Sequence, residues 1–130
     1  MLDTVQLVLL SVIFGGMITF QILFAPLVFI KLGIDSARPF IRAFFPFYYL
    51  YFSCFSFAFL IFSLLVGEHI EAIIGGVSLL GFIISRQVLM PIANAASDNG
   101  QKSKFDIVHK TIVLITTLQL VAFFIALVRA

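Results

Sequence analysis

The sequence predicts an all-α integral membrane protein, a bundle of four transmembrane helices with both termini outside the cytoplasm. Two observations carry the helices. Apolar residues fall in four blocks, roughly 5–30, 44–66, 70–93 and 107–128, each of about 20 residues or more. At 1.5 Å per residue a helix of that length crosses a hydrocarbon layer about 30 Å thick. The composition agrees: 62% hydrophobic and 11% charged residues, with a mean hydropathy of +1.21, leave too little polar surface for a water-soluble domain. Orientation comes from charge. Lys31, Arg38 and Arg42 lie between the first two blocks, and Lys102, Lys104 and Lys110 between or beside the last two. Both connections, 31–43 and 94–106, are therefore expected at the cytoplasmic face, and the amphipathic stretch 31–42 either as a loop or as a short interfacial helix started by Asp35 or Ser36. The four spans occupy nearly the whole chain, so 1–130 reads as one domain.

The first block opens with Asp3 where a signal peptide would carry basic residues, and its apolar run exceeds a signal core, so it is expected to remain as a helix. Ser11, Gly15, Ile18, Ile22 and Ala25 recur at spacings of three and four, a small-residue seam that would admit a neighbouring backbone. The second block holds Phe44, Phe45, Phe47, Phe52, Phe55, Phe57, Phe59 and Phe62 around its circumference and is expected to face lipid over much of its surface. With no Trp in the chain, Tyr48, Tyr49 and Tyr51 are the candidates for an interfacial belt. Cys54 has no second thiol and reads as small buried filler. In the third block Gly75, Ser78, Gly81 and Ser85 form a second small stripe, and close packing of the first helix on the third is the expectation. Pro26 and Pro91 should kink or end their helices, Pro39 and Pro46 flank entry to the second, and Ser97-Asp98-Asn99-Gly100 signals a turn.

Function is harder to read. A net charge of +2, dispersed along the chain, lacks the basic stripe that binds phosphates, which excludes a nucleic-acid partner. No nucleophile elbow, ordered triad or metal-ligand spacing occurs, so no catalytic residue, cofactor or metal is assigned and no enzymatic activity is expected. Met17 and Met90 are too few to gather copper. His69 and His109 fall on opposite sides of the membrane, which argues against a haem held by both.

The polar residues within the spans form the candidate site. Arg86 would cost about 2.5–3.5 kcal/mol at the centre of a span. It stands eight residues before Asn94, roughly 12 Å from the helix end. Its stem can snorkel to headgroups, or its guanidinium can meet an anion inside the bundle. His109, Thr116 and Gln119 make an approximate inward stripe on the fourth helix. With Asn94, Asp98 and Asp106 at the same face they read either as a proton- or cation-binding cluster or as a hydrogen-bonded cap between helices.

Several residues resemble the transmembrane protein 205-like family, small membrane proteins with a domain of unknown function. Gly15-Gly16, Phe20-Gln21, Ala25-Pro26 and Phe29 are similar to its opening segment, Phe44 and Tyr48-Tyr49 to its second helix. Pro91, Asn94, Asp98, Phe105, His109 and Gln119 resemble a pattern near its end. The chain departs at Ser97, where that pattern has arginine, and at Thr111 and Thr116, where serine and asparagine are more typical. The resemblance implies four membrane helices and an unsettled role, with some members linked to metal or drug tolerance. Two functions are expected from different classes: a transport-related or tolerance protein using the polar cluster where helices three and four meet, or a non-enzymatic scaffold binding other membrane helices. Membrane lipid, a second copy or another membrane protein are the partners implied, in a bacterial inner membrane.

Overall fold

The computed structural model describes residues 4–130, so Asp3 lies outside the described residues. Four helices follow one another: α1 Thr4–Leu32, α2 Ile34–Leu65, α3 His69–Asp98 and α4 Lys102–Arg129, each long and apolar enough to cross a membrane. They run up-down-up-down. The pairs α1–α2, α2–α3, α3–α4 and α4–α1 pack side by side, placing α1 and α3 on a diagonal. The outer surface is the apolar one: Ile22, Ile30, Phe47, Leu65, Ile73, Val77 and Leu118 are among the many large hydrophobic side chains left exposed. In water such a surface would aggregate, and in a bilayer it is ordinary. The chain is a multi-pass membrane protein.

The two connections expected at 31–43 and 94–106 are mostly helix. α2 begins at Ile34, ten residues earlier than expected, and the link before it shrinks to Gly33. Its φ of 74° and ψ of 164° fall where only glycine is comfortable. A 32-residue helix spans roughly 48 Å, so about a third of α2 projects beyond a hydrocarbon layer of about 30 Å, and its polar first turns need no loop to remain hydrated. α3 likewise runs on to Asp98, and α4 begins at Lys102.

Neither Pro26 nor Pro91 ends its helix. Phe20–Phe24 of α1 and Ser85–Leu89 of α3 each form one wide π turn just before the proline. The Ala25 N–H bonds back to the Phe20 carbonyl and the Met90 N–H to that of Ser85, five residues rather than four. A proline ring crowds the carbonyl four residues earlier and has no N–H to give it. Widening the preceding turn lets the helix pass the obstruction.

The expected α1–α3 seam is not formed. The buried face of α1 runs through Gln6, Leu10, Ile13, Met17 and Phe20, which turns Ser11, Gly15 and Ile22 outward. Nothing lies within 4 Å of where a Gly15 side chain would begin, whereas a Cβ on Gly16 would stand 2.9 Å from the Phe52 ring of α2. The stripe on α3 does pack, but onto its two sequence neighbours: Gly75 abuts Phe59 and the Leu60 backbone of α2, Gly81 abuts Ile115 and Gln119 of α4, and Ser78 and Ser85 are buried.

α2 is less lipid-facing than its composition suggests. Tyr48, Tyr49, Phe52, Ser56, Phe59 and Ser63 recur at helical spacing and are buried, while Phe47, Phe57 and Phe62 point outward. Tyr48 and Tyr49 are thus core residues rather than an interfacial belt, and Cys54 is exposed rather than buried filler. Phe20 stacks on Phe44 at 5.2 Å and 3°, and Phe52 on Phe82 at 5.8 Å and 23°. Such pairs supply contact where apolar burial alone cannot hold helices together.

Candidate functional site at the basic end of the bundle

Six of the eight basic residues, Lys31, Arg38, Arg42, Lys102, Lys104 and Lys110, lie where α1 and α3 end and α2 and α4 begin, with three of the six acidic ones. A cavity of about 660 Å³ opens among them. All four helices contribute: Phe29 from α1, Arg38, Arg42 and Phe45 from α2, Met90 and Asn94 from α3, and Lys102, Phe105 and Asp106 from α4, with Gln101 in the turn. Residues Arg38, Arg42 and Phe45 converge because spacings of four and three place them on one helical face.

Asn94 lines this cavity half-buried. Asp98 does not line it but grips Arg42, which does. The guanidinium donates two hydrogen bonds to the two carboxylate oxygens, Nη1 to Oδ1 at 2.7 Å and Nη2 to Oδ2 at 2.8 Å, and ties α2 to the end of α3. Both groups are exposed and lie in the polar helix ends, outside the apolar blocks 44–66 and 70–93. The hydrogen bond from Arg42, aided by its charge, holds the Asp98 carboxyl below the usual carboxylate range, and Asp98 raises Arg42 in turn. The tie is therefore present above the ordinary carboxylate pKa and is lost as pH falls through the lowered value. Both side chains are hydrated, so removing either should leave the folded fraction almost unchanged in a thermal melt at neutral pH.

The remaining candidates separate. His109 faces outward on α4, its ring stacked on Phe105 at 5.6 Å and 16°, away from the cavity lining. Arg86 sits in the π turn of α3, twelve residues or roughly 18 Å from Asp98. There its Nε donates to the Pro46 carbonyl of α2 at 3.0 Å, and Nη1 donates to Gln87 Oε1 at 2.7 Å. It is a tether between helices and meets no carboxylate among the described residues. Thr116 is half-buried, and Gln119 is buried in the bundle interior, its Nε2 donating to the Ser78 carbonyl at 2.9 Å. Asn94, Asp98 and His109 thus do not converge on one point.

The Gln119 bond makes a coupled prediction. A Cβ on Gly81 would lie 2.6 Å from Gln119 Nε2 and 3.2 Å from Ile115 Cγ2. Gly81→Ala should displace the amide and cost about 1–2 kcal/mol in detergent unfolding, the sum of a lost interhelical bond and overpacking. In a Gln119→Ala background the same substitution should cost markedly less, and an equal cost in both would show that the amide is not what it strikes.

Two further groupings escaped the sequence. At the opposite end Gln6 Nε2 donates to Ser63 Oγ at 2.7 Å, and Arg129 Nε donates to the buried Glu71 Oε1 at 3.0 Å. Between α1 and α2, Gly16, Thr19, Phe20, Phe44, Tyr48 and Phe52 line an aromatic groove of about 490 Å³ beside the first π turn. Among the described residues, no three His, Cys, Asp or Glu side chains come close enough to hold a metal ion.

No curated protein and no solved structure matches the chain. The resemblance to transmembrane protein 205-like proteins is supported as far as a membrane domain of unknown function and no further. Residues 8–102, which run from within α1 through α2 and α3 to the first residue of α4, match the family described as Domain of unknown function (DUF4149), and the chain belongs to that family.

Proposed function

We propose that this is a non-enzymatic, transport-related protein of a bacterial inner membrane, oriented with its basic end in the cytoplasm, whose basic-end cavity receives a small polar or amphipathic solute. One observation carries the reading: all four helices contribute charged, amide and aromatic side chains to a single cavity at the end of the spans. A structural cap would need no such volume, and about 300–1,000 Å³ is the usual size of a small-molecule site. The two π turns support it, because each interrupts a helix that leads to the cavity and such turns recur at functional sites. The resemblance to a family with members linked to metal or drug tolerance points the same way. Positive charge gathered at this end favours the cytoplasmic side. A reporter fused after Ala130 should report the opposite compartment.

Purified protein reconstituted in vesicles should take up or release at least one class of solute from a panel of metal ions, organic cations, organic anions and amphiphiles. Arg38→Gln should reduce that flux. Absence of flux for every class, from protein shown to be folded, overturns the transport reading.

The aromatic groove favours a second reading, a scaffold that binds a helix of another membrane protein or of a second copy. It predicts a stable oligomer or a co-purifying membrane partner, lost when Gly16 is enlarged.

A further inference from the structure

We propose that the ligand of the basic-end cavity is a phosphate-headed amphiphile drawn from the surrounding leaflet, an anionic phospholipid or a lipid of the same headgroup chemistry. This rests on the reading of the cavity as a binding site and names its ligand class.

The charges favour an anion. Arg42 is already closed onto Asp98 by two hydrogen bonds, so that pair is neutral to a ligand. Arg38 and Lys102 also line the cavity, and neither makes an ion pair among the described residues. Asp106 is the one carboxylate in the lining, which leaves a positive excess. The first turn of α4 borders the same space and adds the partial positive charge of its unpaired N–H groups.

The walls exclude a free ion as the fitting occupant. A cavity of about 660 Å³ far exceeds what a single phosphate fills, and Phe29, Ile41, Phe45, Met90 and Phe105 add hydrocarbon and rings to its wall. The two cations without an ion-pair partner stand near the helix ends, beside Phe29 and Phe105, and the deepest lining side chain is apolar, with Arg42 held by Asp98 in between. Lys102 is the first residue of α4, and Arg38 is four residues, roughly 6 Å, into α2. Phe45 lies roughly 16 Å into α2 and Met90 roughly 12 Å from the end of α3. Free cations near the end of the bundle, with hydrocarbon and rings beside and below them, suit the phosphate and the upper chain of one lipid molecule standing in its leaflet. A soluble phosphate compound would satisfy only the upper half.

The test uses the full chain in nanodiscs of phosphatidylcholine, with phosphatidylglycerol, phosphatidate or inorganic phosphate as the probe and native mass spectrometry and thermal melting as readouts. The expected result is retention of one or few anionic lipids and a raised melting temperature, with no comparable effect of inorganic phosphate. Combining Arg38→Gln with Lys102→Gln, both exposed and outside the packed interior, should weaken anionic-lipid binding by roughly tenfold or more. The pair Lys31→Gln and Lys110→Gln removes equal charge from the same end outside the cavity lining and should weaken it far less. Equal losses in the two double variants would show surface attraction alone and overturn the proposal. So would equal retention of phosphatidylcholine, or tight binding of inorganic phosphate by itself. If anionic lipid fails to bind while another solute crosses vesicles in an Arg38-dependent way, this ligand assignment falls and the transport reading stands. Cavity-dependent lipid binding without any flux has the opposite meaning.

Discussion

Replacing Gly75 with leucine is expected to separate α2 from α3 and to be the most damaging single substitution in the bundle interior. A Cβ at Gly75 would meet the Phe59 ring at 3.1 Å and the Leu60 backbone N and Cα at 3.2 and 3.3 Å. A flexible side chain could turn aside, but the backbone of a long helix cannot. α2 and α3 share the most extensive contact in the fold, and in lipid that contact rests on van der Waals packing rather than on water exclusion. Even Gly75→Ala should cost about 1–3 kcal/mol by overpacking, and leucine, with three more carbons aimed at α2, should cost more. Gly76→Ala supplies the control. Its nearest neighbour, Leu60 Cδ1, stands at 3.8 Å, ordinary contact distance, so the gain in helix propensity should make it neutral or slightly stabilising. Unfolding in mixed micelles followed by helical circular dichroism measures all three. Equal stability of Gly75→Ala and Gly76→Ala would show that the close approach carries no weight.

The number of helices is legible in the sequence because the bilayer dictates it: any crossing must be about 20 apolar residues long. Helix ends are not legible by the same rule. Residues 34–43 and 102–106 are polar enough to leave the hydrocarbon, yet nothing in their chemistry stops them from being helical, so α2 and α4 begin well before their apolar blocks. Faces are harder still. Soluble helices announce their buried side by polarity, whereas here both sides of α1 are apolar, and small residues serve lipid-facing and helix-facing positions alike. Hence Gly15 is outward and Gly16 packs, a difference of one residue. The cavity is half visible: Asn94 and the basic residues are conspicuous, but Arg38 and Arg42 share a face with Phe45 only if the short interfacial helix runs unbroken into the second span, and a separate short helix or a loop hides that spacing. His109 misleads because a titratable side chain at a helix start looks functional, while its position in the turn directs it onto Phe105 and outward.

Arg129→Met is expected to destabilise the far end of the bundle more than Glu71→Gln does. Glu71 is 2% exposed, its Oε1 takes the hydrogen bond from Arg129, and its Oε2 has no hydrogen-bond partner. Removing the arginine leaves a buried carboxylate with neither charge nor donor opposite it. Breaking a fully buried pair in this way costs about 3–5 kcal/mol. The Arg129 side chain is 44% exposed and partly screened, which places the expected loss near roughly 2–3 kcal/mol. The position of Glu71 in the first turn of α3 offsets some of this, since the helix terminus favours negative charge by about 0.3–1 kcal/mol. Glu71→Gln instead removes the buried charge and leaves a half-exposed guanidinium that can turn to headgroups or water, a milder change. The double variant should then be more stable than Arg129→Met alone, because the second substitution removes the charge that the first stranded. Melting temperatures of the two single variants and the double one decide it. If Arg129→Met is no worse than Glu71→Gln, the carboxylate finds solvent when its partner leaves, and the pair does not anchor the end of α4 to α3.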